Sequence, residues 1–314
     1  MTRLRDRRSE ERPHLDLNHL LGDSSTRVLV IAGDRALVQD SPDGQPHLVL
    51  RPAEPGDLDH DVAVFLGRDP EGQSVVAVCR PEQQDSGEGV DTASNAVWAT
   101  LREVGPWMSE DDAEAFMTAQ GMAIWHRTHR FCPRCGSATE PAAAGWVRRC
   151  IAEDRDLYPR TDPAVIMAVV DEADRLLLAR SPAWPENRRS VLAGFVEPGE
   201  SLEAAVRREV GEEVGLTIGD VTYSGSQAWP FPASLMVGFV AHADTEDVHL
   251  DTREIAAAEW YDRDEVRAAV AAGTIALPGR MSIARRHIET WLGSSIDVPG
   301  VDERGGPAWG ARPS

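Results

Sequence analysis

Three glutamates, Glu209, Glu212 and Glu213, crowd together behind a glycine-rich turn in the stretch Gly194-Phe-Val-Glu-Pro-Gly-Glu200-Ser-Leu-Glu-Ala-Ala-Val-Arg-Arg208-Glu209-Val210-Gly-Glu212-Glu213-Val-Gly215-Leu216. With successive residues placed at 100° on a helix, Leu202, Val206, Glu209 and Glu213 fall on one sector, and Ala205 and Val210 lie at its edges. Two carboxylates four residues apart would then face an interior cleft, at a cost on the order of several kcal/mol in desolvation and repulsion. A divalent cation offsets that cost. Oxygen-only ligands suit Mg²⁺ or Mn²⁺ rather than a thiolate-seeking metal. Such an ion can neutralise a pyrophosphate, lower the pKa of a bound water and direct it in line at phosphorus. A solvated acidic helix is the competing reading, and the glutamates' place on the apolar sector argues against it. Arg208 is positioned to orient Glu209 or Glu200 through a charge-assisted hydrogen bond. No single general base stands out among the three glutamates.

The pattern from Gly194 to Leu216 resembles the Nudix box at every fixed position: Gly, five residues, Glu, seven residues, Arg-Glu, an apolar residue, any residue, Glu-Glu, any residue, Gly, an apolar residue. A chance match in a chain of this length is on the order of 10⁻⁶. The resemblance implies an α/β/α sandwich around a mixed sheet and hydrolysis of a nucleoside diphosphate linked to another group. Downstream, Ser226-Gln227-Ala228-Trp229-Pro230-Phe231-Pro232-Ala233-Ser234 is similar to the signature of the NADH pyrophosphatase branch of that family, with Ala228 where the branch usually has Pro. The exchange gives up a fixed φ in the substrate loop and removes no reactive group.

By this resemblance Glu209, Glu212 and Glu213 are the catalytic carboxylates, and Ala193 (through its carbonyl), Glu209, Glu213 and Glu254 form the metal shell. Tyr158, Phe195, Gln227, Ala228, Trp229, Pro230, Phe231, Pro232, Ala233, Ser234 and Ala284 contact substrate. The residues of the loop agree, since Trp229 and Phe231 offer flat faces for a base while prolines and small residues limit its freedom before binding. Ala284 lies one turn into a helix capped by Ser282, where free amides favour an anion. The implied substrate is NADH, NAD⁺ or a related dinucleotide, cleaved to nicotinamide mononucleotide and AMP, with an NAD cap on RNA as a larger version of it. A hydrolase of ADP-ribose or other dinucleotides, or a non-catalytic nucleotide sensor, are the alternatives. A homodimer is implied by family analogy.

These residues need elements to hold them. The 314-residue chain has 42% hydrophobic residues, 32 basic against 52 acidic side chains, a formal net charge of -20 and no lysine. Schiff-base chemistry and a phosphate-loop lysine are thereby excluded, and RNA contact must be local, for example through Arg127, Arg130, Arg134, Arg148 and Arg149. The fold class expected is α+β. A β-rich N-terminal domain over 1–125 has antiparallel strands near Arg27–Ile31, Ala36–Val38, His47–Leu50, Val62–Leu66 and Val75–Cys79, then helical spacing over Asp91–Val104 and Ser109–Arg130. A ribbon-like linker spans 126–160. The catalytic domain, 161–293, has strands at Ala164–Val170, Arg175–Arg180, Val221–Gln227, Leu235–Ala241 and Ala257–Tyr261, and helices at Glu200–Val214, Asp264–Ala272 and Ser282–Leu292. Residues 294–314 read as a mobile tail. No secretory signal or membrane span is expected, and four cysteines without a disulfide pattern point to a reducing cytoplasm.

Cys132, Cys135 and Cys150 supply three ligands of a zinc ribbon, while Glu153 stands where the resemblance expects the fourth cysteine. Either Glu153, Asp154 or His129 completes a weaker zinc site, or the ribbon holds its shape without metal.

Overall fold

The computed structural model describes residues 6–42, 44–58, 62–81 and 96–296. They divide into two compact units, one within Met1–Arg160 together with Pro230–Ala233, the other within Thr161–Trp229 and Ser234–Ser314. From residue 297 onward the expected tail lies outside the described residues. Before that point Ile296 is buried, its carbonyl accepting from Arg285 and its N–H donating to Glu289 at 3.2 Å.

In the first unit, helix α1 (Leu17–Leu21) precedes strands β1 (Arg27–Ala32), β2 (Arg35–Asp40), β3 (Pro46–Leu48), β4 (Arg51–Pro52), β5 (Val62–Arg68), β6 (Ser74–Arg80) and β7 (Val97–Thr100). The turn signals imply an antiparallel sheet, but the sheet is mixed: β1 and β6 run parallel from Arg27↔Val75 to Ala32↔Arg80. Both strands are apolar and buried over nearly their whole length, the condition that lets parallel neighbours be covered on both faces.

The helix expected over Asp91–Val104 is also corrected. Residues 91–95 lie outside the described residues, Val97–Thr100 pairs with β2 through Leu37↔Trp98, and only α2 (Leu101–Val104) is helical. Val97 and Trp98 fit a pleated surface, and Thr100 ends the strand by forming a capping box with Glu103. Helix α3 (Glu110–Thr128) begins as read, with Ser109 accepting from the Asp112 N–H at 3.2 Å. A small sheet of β8 (Thr139–Ala142), β9 (Val147–Cys150) and β10 (Asp156–Leu157) follows.

The second unit holds strands β11 (Asp162–Val170), β12 (Leu176–Arg180), β13 (Leu192–Phe195), β14 (Ile218–Trp229), β15 (Ser234–Ala243) and β16 (Ala257–Tyr261), ordered β14-β15-β11-β12-β16 with β13 added to β11. Strand β11 runs parallel to β15 and antiparallel to β12 and β13. Its alternating side chains divide between two cores. Val165, Met167 and Val169 pack with Ala205, Val206, Val210 and Val214 of helix α4 (Leu202–Val214). Ile166, Ala168 and Val170 pack with Val266 and Val270 of α5 (Arg263–Ala271) and with Ile283, Ile288 and Trp291 of α6 (Ile283–Leu292). Period-2 alternation in a strand buried on both faces thus produces the expected α/β/α sandwich. Each large apolar side chain so buried contributes roughly 1.5–3 kcal/mol.

Candidate active site

Helix α4 is set by its ends. Ser201 accepts from the Ala204 N–H at 3.2 Å, and Gly215 closes the helix in the left-handed region at φ 71°. Its apolar face is pinned against β11, which fixes where the glutamates of the same sector point. Glu213 is 8% exposed. Glu209 lies against β13, so close that a Cβ at Gly194 would fall 1.9 Å from the Glu209 carboxyl carbon. The glycine of the motif is therefore a seat for a carboxylate fifteen positions further on.

The Arg208 guanidinium organises the outer part of the cluster. It donates to Glu200 at 2.7 and 3.1 Å, to Glu209 at 2.9 Å, to Glu212 at 3.0 Å and to the Phe195 carbonyl at 2.9 Å. It thus grips Glu200 and Glu209 together, where either alone was expected. Glu200 also accepts from the Glu197 N–H at 2.7 Å, which folds the glycine-rich turn back on itself.

Glu254 reaches the cluster from outside the motif. The Asp251 N–H donates to the Glu213 carbonyl at 3.0 Å, the His249 N–H to the Val214 carbonyl at 2.9 Å, and the Glu254 N–H to the Asp251 carbonyl at 3.1 Å. This turn docks on the C-terminal end of α4 and brings the Glu254 charge to bear on both Glu209 and Glu213. Local sequence carries no sign of that juxtaposition.

Burial, then the charges of Glu209, Glu254 and Glu212, push the Glu213 carboxyl up to about 8. Burial also raises Glu209, against the opposing pull of Arg208. Glu213 Oε2 is buried with no hydrogen-bond partner. A buried carboxylate oxygen without a donor, among further carboxylates, is a group short of a cation, and the all-oxygen donor set fits a hard divalent metal.

The remaining site residues divide between the two units. Phe195, 60% exposed, ends β13 beside the Arg208 guanidinium, and Ala193 precedes Gly194 on the same strand, opposite Ile166. Strands β14 and β15 form a hairpin in which Gln227, Ala228 and Trp229 face Met236, Leu235 and Ser234. Its tip, Pro230-Phe231-Pro232-Ala233, contains a cis Phe231–Pro232 bond and groups with the first unit. There the Gln120 amide donates to the Pro230 carbonyl at 3.3 Å, and Arg102 stacks over the Phe231 ring at 3.7 Å. Tyr158 belongs to the first unit and is 71% exposed.

Two of the residues expected at the substrate also have partners within the protein. The Gln227 amide donates to the Met281 carbonyl at 2.5 Å and accepts from the Ile283 N–H at 2.7 Å, tying the hairpin to the start of α6. The Ala284 N–H, expected free for an anion, donates to Ser282 at 3.2 Å, and the residue is buried. Ser282 satisfies the very amide its capping exposes to view in the sequence.

In the ribbon, ligand atoms of Cys132, Cys135, Cys150 and Glu153 all lie within 4.8 Å of one another. Two tight turns set them, with Gly136 N–H donating to the Cys132 carbonyl and Asp154 N–H to the Cys150 carbonyl, each at 2.9 Å. Of the three candidates for the fourth ligand, only Glu153 joins the group. Asp154 faces Arg149 at 3.6 Å, and His129 Nδ1 bonds with Thr128 and the Trp125 carbonyl. Three sulfurs and one carboxylate within this span suit zinc.

Comparison with known proteins follows the same divisions. The family model for the NUDIX domain matches residues 160–278, that for the NADH pyrophosphatase zinc ribbon domain residues 127–156, and that for the NADH pyrophosphatase-like rudimentary NUDIX domain residues 25–125. The chain is 48% identical over 238 residues to the NAD-capped RNA hydrolase NudC of Mycobacterium tuberculosis, covering 73% of this chain and 75% of that one. It is 44% identical over 183 residues to Nudix hydrolase 19, chloroplastic, of Arabidopsis thaliana, covering 55% of this chain and 42% of that one. With the NAD-capped RNA hydrolase NUDT12 of Homo sapiens it shares 38% identity over 197 residues, 59% of this chain and 43% of that one. With an intact box built into an α/β/α sandwich, and all three domain models matched in order, the chain belongs to the NADH pyrophosphatase branch of the Nudix hydrolase family.

Proposed function

We propose that the chain hydrolyses the pyrophosphate bond of NADH or NAD⁺ to nicotinamide mononucleotide and AMP, and removes the same linkage from NAD-capped RNA 5′ ends. The observation that carries the proposal is Glu213, a buried carboxylate with an unpartnered oxygen inside a cluster of like charges. Glu209, Glu213 and Glu254, with the Ala193 carbonyl and Glu212 nearby, would hold Mg²⁺ or Mn²⁺, which supplies charge neutralisation for the phosphates and activation of the attacking water.

The chain's own part is to orient and to bind. Arg208 holds Glu200, Glu209, Glu212 and the end of β13 in one arrangement before substrate arrives. Phe195 and Trp229 offer faces for the nicotinamide or adenine ring, with Tyr158 and the loop from Ala228 to Ser234 as further contacts. Gln227 acts by anchoring that loop to α6. One water is consumed: its oxygen bonds to one phosphorus as the bridging P–O bond breaks, and each product leaves with a monophosphate.

The reading includes a non-catalytic domain over 1–125, a ribbon-like linker over 126–160, the catalytic domain over 161–293, a tail over 294–314, zinc in the ribbon, a homodimer and a cytoplasmic setting. The absence of a disulfide at Cys79, Cys132, Cys135 and Cys150 agrees with a reducing compartment. Incubation with NADH and Mg²⁺, followed by chromatography of the products, should give AMP and nicotinamide mononucleotide in equal amounts. Free nicotinamide would reveal glycosidic cleavage and overturn the proposal.

A further inference from the structure

A cavity of about 450 Å³ lies wholly within the first unit, between the end of β6, helix α3 and the ribbon strands. Four arginines line it, Arg80, Arg127, Arg130 and Arg148, and no carboxylate does so among the described residues. In a chain with 52 acidic and 32 basic residues that segregation calls for an explanation.

Arg148 sharpens it. The side chain is 6% exposed, and its donors go to Thr139 Oγ1 at 2.7 Å, the Thr139 carbonyl at 2.6 Å and His126 Nδ1 at 3.0 Å. All three are neutral acceptors: the His126 ring donates through Nε2 to the Gly145 carbonyl at 2.7 Å, so its Nδ1 is free to accept. Arg80 reaches Asp57 at 3.4 Å, but that carboxylate is already clamped by two shorter bonds from Arg51, and Arg80 Nε is buried without a partner. Phe131, 65% exposed, adds an uncovered aromatic ring to the same wall. The Arg148 guanidinium, buried with only neutral acceptors beside an open ring, gives the chemistry of a site for an anion carrying a flat base.

We propose that this cavity is a second, non-catalytic nucleotide site, which takes a nucleoside 5′-phosphate with the phosphate on the guanidinium cluster and the base against Phe131. Its volume lies within the range of small-ligand pockets and suits one nucleotide rather than a run of them. Binding needs no divalent cation, because the counter-charges are side chains.

Equilibrium dialysis of the full chain in EDTA tests this, with AMP, adenosine and a 5′-phosphorylated ten-nucleotide RNA as probes. About one AMP should bind per chain, at least about tenfold tighter than adenosine, which lacks the phosphate. Arg127→Glu, on an exposed side chain whose loss does not threaten the fold, should weaken AMP by about tenfold or more, and Arg148→Met should do the same if it folds. Glu213→Gln should leave this EDTA-resistant binding unchanged, so failure here and failure of the hydrolase reading are separable. The proposal is overturned if AMP does not bind at millimolar concentration, if adenosine binds as well, or if Arg127→Glu has no effect. It is equally overturned if the RNA binds more than about tenfold tighter than AMP, which would mark a polynucleotide track.

Discussion

At the scale of single residues, two positions decide whether the carboxylate cluster can work. Glu213 is buried by the packing of α4 and crowded by three other glutamates, so its amide analogue should relieve repulsion while removing the proposed cation ligand. Glu213→Gln is expected to lower kcat by at least about 100-fold with a melting temperature unchanged or higher. Near-normal turnover would remove Glu213 from the metal shell. Gly194→Ala tests the seat beneath Glu209, because the added methyl would stand 1.9–2.2 Å from the carboxyl group. A drop in kcat of about tenfold or more, with a raised Mg²⁺ requirement, should appear in metal-titrated initial rates. An unchanged metal requirement would show that β13 does not set Glu209. The importance of Gly194 is legible in the motif, but the atom it makes room for is not, since the contact spans fifteen positions of chain.

Elements decide how such residues are held. In the ribbon, two turns assemble three thiols and Glu153, and a carboxylate oxygen is a poorer zinc partner than a fourth thiolate. Glu153→Cys should therefore retain zinc longer against a chelator, by an order of magnitude or so in release rate followed with a metal-sensitive dye. Equal release from both proteins would mean that the fourth position is not a ligand. Helix α3 carries a different marker. Burial, aided by Arg148 and opposed by the bond to the Gly145 carbonyl, holds the His126 imidazole down at about 4, against 6.5 for the free side chain. With the folded value below the unfolded one, its contribution to stability is whole above pH 6.5 and is lost as pH falls through about 4. Urea unfolding should show stability falling more steeply between those limits than in a His126→Gln variant. Parallel slopes would contradict the assignment. Neither His126 nor Gln227 reveals its anchoring role in the sequence, because each bonds to partners brought in by other elements.

For the whole molecule, charge sets how a large substrate is met. A net charge of -20 opposes an RNA chain, leaving local arginines to attract it, whereas a dinucleotide experiences little of the distant field. Raising salt from about 50 to 200 mM should cut kcat/KM for NAD-capped RNA by about tenfold or more while changing that for NADH only about twofold. Salt-independent cleavage of the capped RNA would refute the electrostatic account.

The chemistry of the catalytic unit and most of its elements were written in the chain, because the box, the continuous apolar run of β11 and the Ser282 cap of α6 are local patterns that hydrogen bonding and burial read over a few residues; strand β13 was not among them. Pairings between distant segments were not. The parallel union of β1 with β6, the strand at Val97–Thr100, the docking on α4 of the turn that carries Glu254 and the arginine-lined cavity all depend on which surfaces meet when the units fold. Local spacing fixes what a side chain offers, but tertiary packing alone decides which partner removes it from water, and with it the charge and reach the side chain retains.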